Sequence, residues 1–443
     1  MDTRQQNLRR KSMGRRGLLA VSGMAAAVAL AGCSDSMPTG TTTESSLPAG
    51  SPSSTNEQLG KLVAGNTAFA LNLFEVLGEN ADNLFVSPYS ISLALAMTYA
   101  GADGDTETAM RETLGFSLGE ETHPAFDELQ AQLETRETTD SGPDSDDETV
   151  DAFELSVGNA LWGDTEYPFA EAYLDLVDEQ YDGGFNEAAF ADDPDTERER
   201  INDWVAEQTA DRIEELIPEG ELSPQMVLVL TNAIYFMASW EQEFDPEETT
   251  EATFNALDGT ESTVPMMEQS LRTDYAALPR AQAIELLYVG GEVSMVLIVP
   301  DEGEFETTVE ELSAETLYGI FESLGDANGN LRLPKFEYEF DAELSDALDA
   351  LGMGPAFGSG ADFSKMVDNG RGPGIDQVFH EAFISVDEQG TEAAAATAVL
   401  MEVSAPSESF DLTVDRPFIF CIRDRPTDAV LFLGQVTDAG AAQ

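Results

Sequence analysis

Basic residues are scarce in this chain of 443 residues: 21 Lys and Arg stand against 85 Asp and Glu, for a formal net charge of -64. Lysine is rarer still, confined to Lys11, Lys61, Lys335 and Lys365. Such a surface repels a polyphosphate, which excludes nucleic acid as a partner. Histidine is almost absent: only His123, in an acidic stretch that reads as surface, and His380, in a strand pattern, are present. A His/Cys metal cluster therefore has little material, and no Gly-x-Ser-x-Gly elbow supports a Ser-His-Asp site built on His380. The two cysteines, Cys33 and Cys421, lie too far apart in sequence and context for a disulfide framework, so Cys421 is expected free and buried. Gly354, Gly358 and Gly360 fall in a loop without the strand-to-helix setting of a phosphate cradle. Paired carboxylates mark nothing where carboxylates are everywhere, and no cofactor is expected.

What is present is a globular pattern, with 42% hydrophobic residues and acidic groups spread among periodic apolar segments, unlike a disordered chain. At molar salt the Debye length falls to about 3 Å, which screens the self-repulsion while hydrated carboxylates keep the surface soluble. The composition is that of a salt-adapted, haloarchaeal proteome.

Residues 1–33 join Arg9-Arg10-Lys11 and Arg15-Arg16 to the apolar run GLLAVSGMAAAVALAG, the charged and hydrophobic parts of an export signal. The run is too short and Ala-rich for a persuasive transmembrane helix. The paired arginines resemble a twin-arginine signal and Leu30-Ala31-Gly32-Cys33 a lipobox, so Cys33 is the expected lipid attachment point and the outer face of the membrane the expected location. Residues 34–57, rich in Ser, Thr, Pro and Gly, read as a flexible tether, and 58–443 as one folded domain.

Within that domain, apolar spacing predicts helices over 59–77, 90–100 and 201–216, and an acidic surface loop over 134–151. Strand-like runs cover 157–162, 226–236, 284–288, 294–299, 329–340, 377–386 and 417–436. No internal repeat is visible. Helices early and strands late point to a single α+β domain built around large sheets.

The informative stretch is VDEQGTEAAAATAVLMEVSAPSESF, from Val386. Taken alone, Ala393 to Ala396 suit a helical turn. Taken as a strand, Thr391, Ala393, Ala395, Thr397, Val399 and Met401 face one way and Glu392, Ala394, Ala396, Ala398, Leu400 and Glu402 the other. Both charges then share one face. The opposite face is small and uncharged, as a segment sliding between strands over a core must be.

The sequence GTEAAAATA from Gly390 resembles the hinge of the reactive loop of inhibitory serpins. Further matches to that family run through the domain: NLFVSPYSI from Asn83, LTNAIYFMASW from Leu230, VPMM from Val264, FHEAF from Phe379, DRPFIFCIRD from Asp415 and LFLGQV from Leu431. The resemblance implies a serpin-like α+β domain with a large central sheet, further sheets, eight or nine helices and an exposed reactive loop over about 387–410. It assigns Gly390, Thr391, Glu392, Ala393, Ala394, Ala395 and Ala396 to the hinge. Ser87, Ser90, Asn159, Asn232 and His380 become a hydrogen-bonded shutter and breach around the main sheet, and Trp240 packs near its top. Asn159 and Asn232 could equally serve only to satisfy buried backbone groups.

The implied function is suicide inhibition of a serine protease by a monomer that is not itself an enzyme. Counting from Gly390 by the spacing common in that family implies a scissile bond at Ser404–Ala405, with Val403–Ser404 and Met401–Glu402 as fallbacks, whereas counting back from Pro417 implies one about two residues later. Proline after the cut, as at Ala405–Pro406, would obstruct most serine proteases. A small residue at the cut suits subtilisin-like or elastase-like enzymes. The rival readings are a non-inhibitory serpin-fold binding or structural protein on the cell surface, and a hydrolase using a serine with His380.

Overall fold

Residues 228–239 are apolar at most positions, and the structure shows why. It is a computed structural model that describes residues 56–443 apart from 79–81, 137–152, 182–183 and 392–407, together with Leu47 and residues 50–52. The described strands are β1 (Leu84–Val86), β2 (Phe153–Asp164), β3 (Phe185–Ala188), β4 (Leu228–Ser239), β5 (Thr250–Asn255), β6 (Glu261–Ala277), β7 (Ala281–Leu287) and β8 (Val293–Pro300). They continue with β9 (Gly325–Pro334), β10 (Phe336–Glu343), β11 (Gln377–Val386), β12 (Gly390–Thr391), β13 (Glu408–Thr413), β14 (Phe418–Asp424) and β15 (Ala429–Val436). Helices precede and interrupt them: α1 (Glu57–Gly78), α2 (Pro88–Tyr99), α3 (Gly104–Thr113), α4 (Thr122–Glu134), α5 (Glu171–Gln180), α6 (Pro194–Gln208), α7 (Phe305–Glu311), α8 (Ala314–Ser323) and α9 (Ser345–Leu348).

A six-stranded sheet runs in the order β10-β11-β12-β4-β2-β3, and a nine-stranded one in the order β1-β15-β14-β8-β7-β6-β9-β13 with β5 paired to β6. Along β4, Leu228, Leu230, Ile234, Phe236 and Ala238 enter the main core, while Val229 and Ala233 enter a second core on the opposite face. A strand covered on both faces has to be apolar on both. The main core lies between the sheets and contains α1 and α2. The second core is closed by α6, Trp162 and Phe379.

Several expectations shift. The helix anticipated over 201–216 is α6, which begins earlier, with Asp193 capping Thr196 N at 3.2 Å and Pro194 in its first turn. It stops at Gln208 because Ala210 and Asp211 adopt positive φ. Ile213, Leu216 and Ile217 still enter the second core, so the apolar period outlives the helix. The run 329–340 is two strands in different sheets, parted at Lys335, and 417–436 is a hairpin turning at residues 425–428. His123 is not on the surface. It is 7% exposed on the inner face of α4, and its Nδ1 lies 2.5 Å from the Tyr181 hydroxyl.

Part of the segment read as tether is seated on the domain: Leu47 is buried, Gly50 N donates to Glu315 O at 2.7 Å, and Ser51 N to Glu322 Oε1 at 3.2 Å. A side chain on Gly50 would strike the α8 backbone at Gly319. Among the described residues no helix is long and apolar enough to cross a membrane, and no group of three or more His, Cys, Asp or Glu could hold a metal ion. Cys421 is free and buried, its thiol pushed up to about 12 by burial.

Candidate functional site

The sequence Ser87-Pro88 starts α2 in a standard way: Ser87 Oγ accepts from Ser90 N at 3.2 Å and Pro88 occupies the first turn. The same hydroxyl donates to Leu431 O at 2.7 Å, tying the helix to β15. One turn on, α2 presents Ser90 to the underside of the six-stranded sheet. There Asn159 of β2, Asn232 of β4 and His380 of β11 stand directly opposite one another, in one row across three strands.

The four side chains form one hydrogen-bonded network. Ser90 Oγ donates to Asn159 Oδ1 at 2.9 Å, and Asn159 Nδ2 donates to Ser90 O at 3.0 Å. Asn232 Nδ2 donates to Ser90 Oγ at 2.5 Å and also to Asn159 Oδ1. Asn232 Oδ1 lies 2.5 Å from His380 Nδ1. An amide oxygen only accepts, so the proton of the neutral imidazole sits on Nδ1. His380 Nε2 then has no hydrogen-bond partner among the described residues. Burial lowers the pKa of His380 to about 3. Among the described residues no serine hydroxyl is hydrogen-bonded to the His380 ring, whose Nδ1 is engaged by Asn232. The arrangement is a clamp: it joins β2, β4 and β11 to one helix through polar bonds whose loss would leave buried groups unpaired.

Above that row the sheet opens. Strands β4 and β11 run parallel and paired from Val229 and Gln377 to Ile234 and Ala382, and then part. In the opening stands β12, whose Thr391 is antiparallel to Val386 of β11 on one side and to Ala238 of β4 on the other. From the Asn232–His380 row to Ala238 and Val386 is the same distance along both strands, so the two splay without slipping register. Gly390 is required at the mouth, because a Cβ there would lie 2.1 Å from Ala238 O.

The mouth is fastened by side chains. Thr391 is 1% exposed and its Oγ1 lies 2.8 Å from the hydroxyl of Tyr288. The Tyr288 ring stacks on Trp240 at 4.6 Å, and Trp240 Nε1 donates to Asp387 O at 3.1 Å. Glu388 accepts from Thr249 Oγ1 at 2.7 Å and from Lys335 Nζ at 2.6 Å. Burial works against the charge of Glu388, but Lys335 and Thr249 outweigh it and hold its carboxyl below the usual range.

The structure thus brings Ser87, Ser90, Asn159, Asn232 and His380 together beneath the sheet, and Gly390, Thr391 and Trp240 at its mouth. Glu392, Ala393, Ala394, Ala395, Ala396, the bond Ser404–Ala405 and Cys33 lie outside the described residues. Sequence reasoning missed Tyr288, Glu388, Lys335 and Thr249. One signal was available: in a chain with so few lysines, Lys335 stands out, whereas Glu388 is hidden among 85 acidic residues.

Comparisons with known proteins agree with this geometry. The serpin family, described as serine protease inhibitors, matches residues 64–439. An uncharacterized serpin-like protein of Thermococcus kodakarensis is 38% identical over 372 residues, covering 83% of this chain and 84% of that protein. The leukocyte elastase inhibitor of Sus scrofa is 35% identical over 391 residues, covering 85% and 99%. The crystal structure of human thyroxine-binding globulin complexed with thyroxine is similar with a TM-score of 0.74 at 29% identity, covering 86% of this chain and 99% of that one.

Proposed function

Because this chain belongs to the serpin family, we propose that it is a suicide-substrate inhibitor that traps serine proteases by inserting its cleaved loop between β4 and β11. The observation that carries this reading is the parted pair of strands with Gly390 and Thr391 already standing at the mouth, in register with both. Continued in that register, Ala393, Ala395 and Thr397 would face the main core, and Thr397 would arrive level with Asn232 and His380. Insertion would part that pair. It would also carry Glu392 on the solvent side.

In this mechanism the catalytic serine of the protease attacks the carbonyl of Ser404, and the Ser404–Ala405 peptide bond breaks with Ala405 leaving as the new amino terminus. The protease, now held as an ester on Ser404, is dragged along as the new strand forms. About ten new ladder bonds at ~0.5–1.5 kcal/mol each, with apolar burial, would drive the movement. Misplacing reacting groups by about 1 Å already costs about 10²-fold in rate, so a distorted acyl-enzyme persists. The small residue at the cut suits subtilisin-like or elastase-like targets. The test is to mix the purified protein with such proteases in high salt. A detergent-stable one-to-one complex, with the cut located by mass spectrometry at Ser404–Ala405, is the expected result; turnover with no complex overturns the reading.

A second reading, a non-inhibitory binding protein, is favoured by the likeness to thyroxine-binding globulin and by a cleft of about 420 Å³ lined by Tyr318, Phe321, Arg423 and Arg425. Failure to trap any protease that cuts the loop would favour it. For location, we propose that Cys33 carries a lipid that holds the protein on the outer membrane face, so Cys33→Ser should release it to the medium. The acidic excess is taken as adaptation to salt, and dilution from several molar to about 0.1 M potassium chloride should lower the melting temperature.

A further inference from the structure

We infer that the exposed face of β6, β9 and β13 is the surface on which the target protease rests while the loop occupies its active site, and that Arg272 and Arg332 admit it there. This rests on the inhibitory reading above. The first ground is position. Strand β13 begins at Glu408, immediately after the segment carrying the scissile bond, and pairs in parallel with β9. On the hinge side, the chain leaving β4 holds the other end of that segment: Trp240 N donates to Gln389 O and Phe244 N to Glu388 O, both at 2.8 Å. Within that same stretch, Gln242 Nε2 donates to Arg272 O at 3.3 Å. Both ends of the loop are therefore attached beside this face.

The second ground is charge. Strand register places Arg272, Asn328 and Ser409 in one row, Ser270, Asn330 and Asp411 in the next, and Glu268, Arg332 and Thr413 in a third. Arg272 grips Asp326 through Nε at 2.5 Å and Nη2 at 3.0 Å, and Arg332 grips Glu268 at 2.9 and 3.0 Å. Asp274, at the margin, is paired with Arg425. Acid and base are nearly balanced here, in a chain where acids outnumber bases 85 to 21. The exposed side of β10 is the contrast: Glu337, Glu339, Asp341 and Glu343 alternate there, beside Glu381 of β11.

Molar salt screens repulsion at a distance, but at contact range a partner with an acidic surface meets like charge over most of this molecule and arginines at the balanced face. The two guanidiniums are about half exposed, and exposed ion pairs are worth little, so their forks can turn to carboxylates of an incoming protein with small loss. The partner inferred is thus a serine protease with a carboxylate-rich surface, and the polar Asn and Ser side chains between the arginines fit a wet, hydrogen-bonded contact.

The test compares wild type, the double variant Arg272→Glu/Arg332→Glu, and a control with the same charge change on helices outside this sheet, Lys61→Glu/Arg111→Glu. The probe is a subtilisin-like protease with an acidic surface, from a high-salt source. The rate of loop cleavage and the yield of covalent complex are read separately, with melting curves to show that each variant is folded. The inference expects the face variant to be attacked at least tenfold more slowly than wild type and the control within about twofold. Equal slowing of both variants, or none, overturns the docking face, even where complexes still form and inhibition stands. Slowing confined to the face variant without any complex supports docking and refutes inhibition. A loop that the protease never cuts overturns both. A change in oligomeric state of the face variant, seen by sedimentation with cleavage unchanged, would assign the face to a second copy of this chain and overturn the inference.

Discussion

The hydroxyls of Tyr288 and Thr391 lie 2.8 Å apart, and the Tyr288 ring is at the same time stacked on Trp240. The first core-facing side chain of the hinge is thus held by a residue that is itself fixed, and burial pushes the Tyr288 phenol far above its ordinary range, so it stays neutral and able to donate. The hinge enters the sheet with a satisfied hydroxyl, not a bare backbone turn.

Thr391→Arg should convert the protein from inhibitor to substrate. Thr391 is 1% exposed and its side-chain partner is the neutral hydroxyl of Tyr288, so a guanidinium there would be buried without a charged partner among the contacts that hold Thr391. Burying it unpaired costs on the order of several kcal/mol, enough to expel the hinge from the mouth where Thr391 now stands, so that insertion must start against that cost and slows by orders of magnitude while the distant scissile bond stays accessible. Deacylation then outruns trapping. Gels should show cleavage at the wild-type bond with little or no stable complex, whereas Glu392→Arg, on the other face by strand alternation, should still trap enzyme. Equal trapping by both variants would rule out insertion from Thr391 onward.

Much of this was legible because it depends on local pattern. The strand-like run 226–236 is found as β4, and Cys421 is free and buried as its apolar surroundings suggested, because both readings rest on short-range pattern. The Asn159–Asn232–His380 row was reached through family resemblance, since nothing local says that three strands from distant parts of the chain align there. The Glu388–Lys335 pair was not reached at all: it joins residues 53 positions apart across the end of two sheets. Where the helical reading of 201–216 ran too far, tertiary burial of Ile213, Leu216 and Ile217 had imposed an apolar period on non-helical backbone.

Glu388→Gln should loosen the mouth. The variant leaves Lys335 Nζ, about one-third exposed, without its anionic partner. Solvent softens that loss, so the expected destabilisation is about 1 kcal/mol. Because the carboxyl of Glu388 is held below its unfolded value of 4.5, the contribution is present above about pH 4.5 and lost as pH falls through the lower folded value. Melting curves of the variant and wild type should therefore differ at pH 7 and converge in acid. A constant difference at all pH values would mean that the carboxylate charge is not what holds the mouth.

His380 should make the protein acid-sensitive. Its pKa is about 3 in the fold against 6.5 as the free group, and burial is the main cause. The unfolded chain therefore takes up a proton that the folded one refuses. Stability present above about pH 6.5 is lost as pH falls toward 3, with a slope approaching ~1.4 kcal/mol per pH unit. His380→Gln retains a donor for Asn232 but cannot titrate, so its denaturation midpoint should fall less steeply between about pH 6.5 and 4. Parallel slopes for the two proteins would show that the imidazole titrates alike folded and unfolded.

Glu381, next to His380 on β11 but facing the opposite side of the sheet, should act in the reverse direction. Its carboxyl is raised to about 7, by burial first and then by Glu339 and Asp341; Asp341 stands directly opposite it on β10. A folded value above the unfolded 4.5 means that the fold prefers the protonated form. The stability this contributes is complete below about pH 4.5 and is lost as pH rises through about 7. Glu381→Gln keeps the shape and removes the ionisation, so the variant should gain on wild type in denaturant as pH rises from about 5 to 8. Salt separates the causes. Repulsion from Glu339 and Asp341 is screened within about 3 Å at 1 M, whereas the cost of burial is not. With burial the larger cause, most of the gain should survive in several molar potassium chloride. A gain that vanishes there would make the acidic ladder of β10, and not the enclosure of Glu381, the source of the shift.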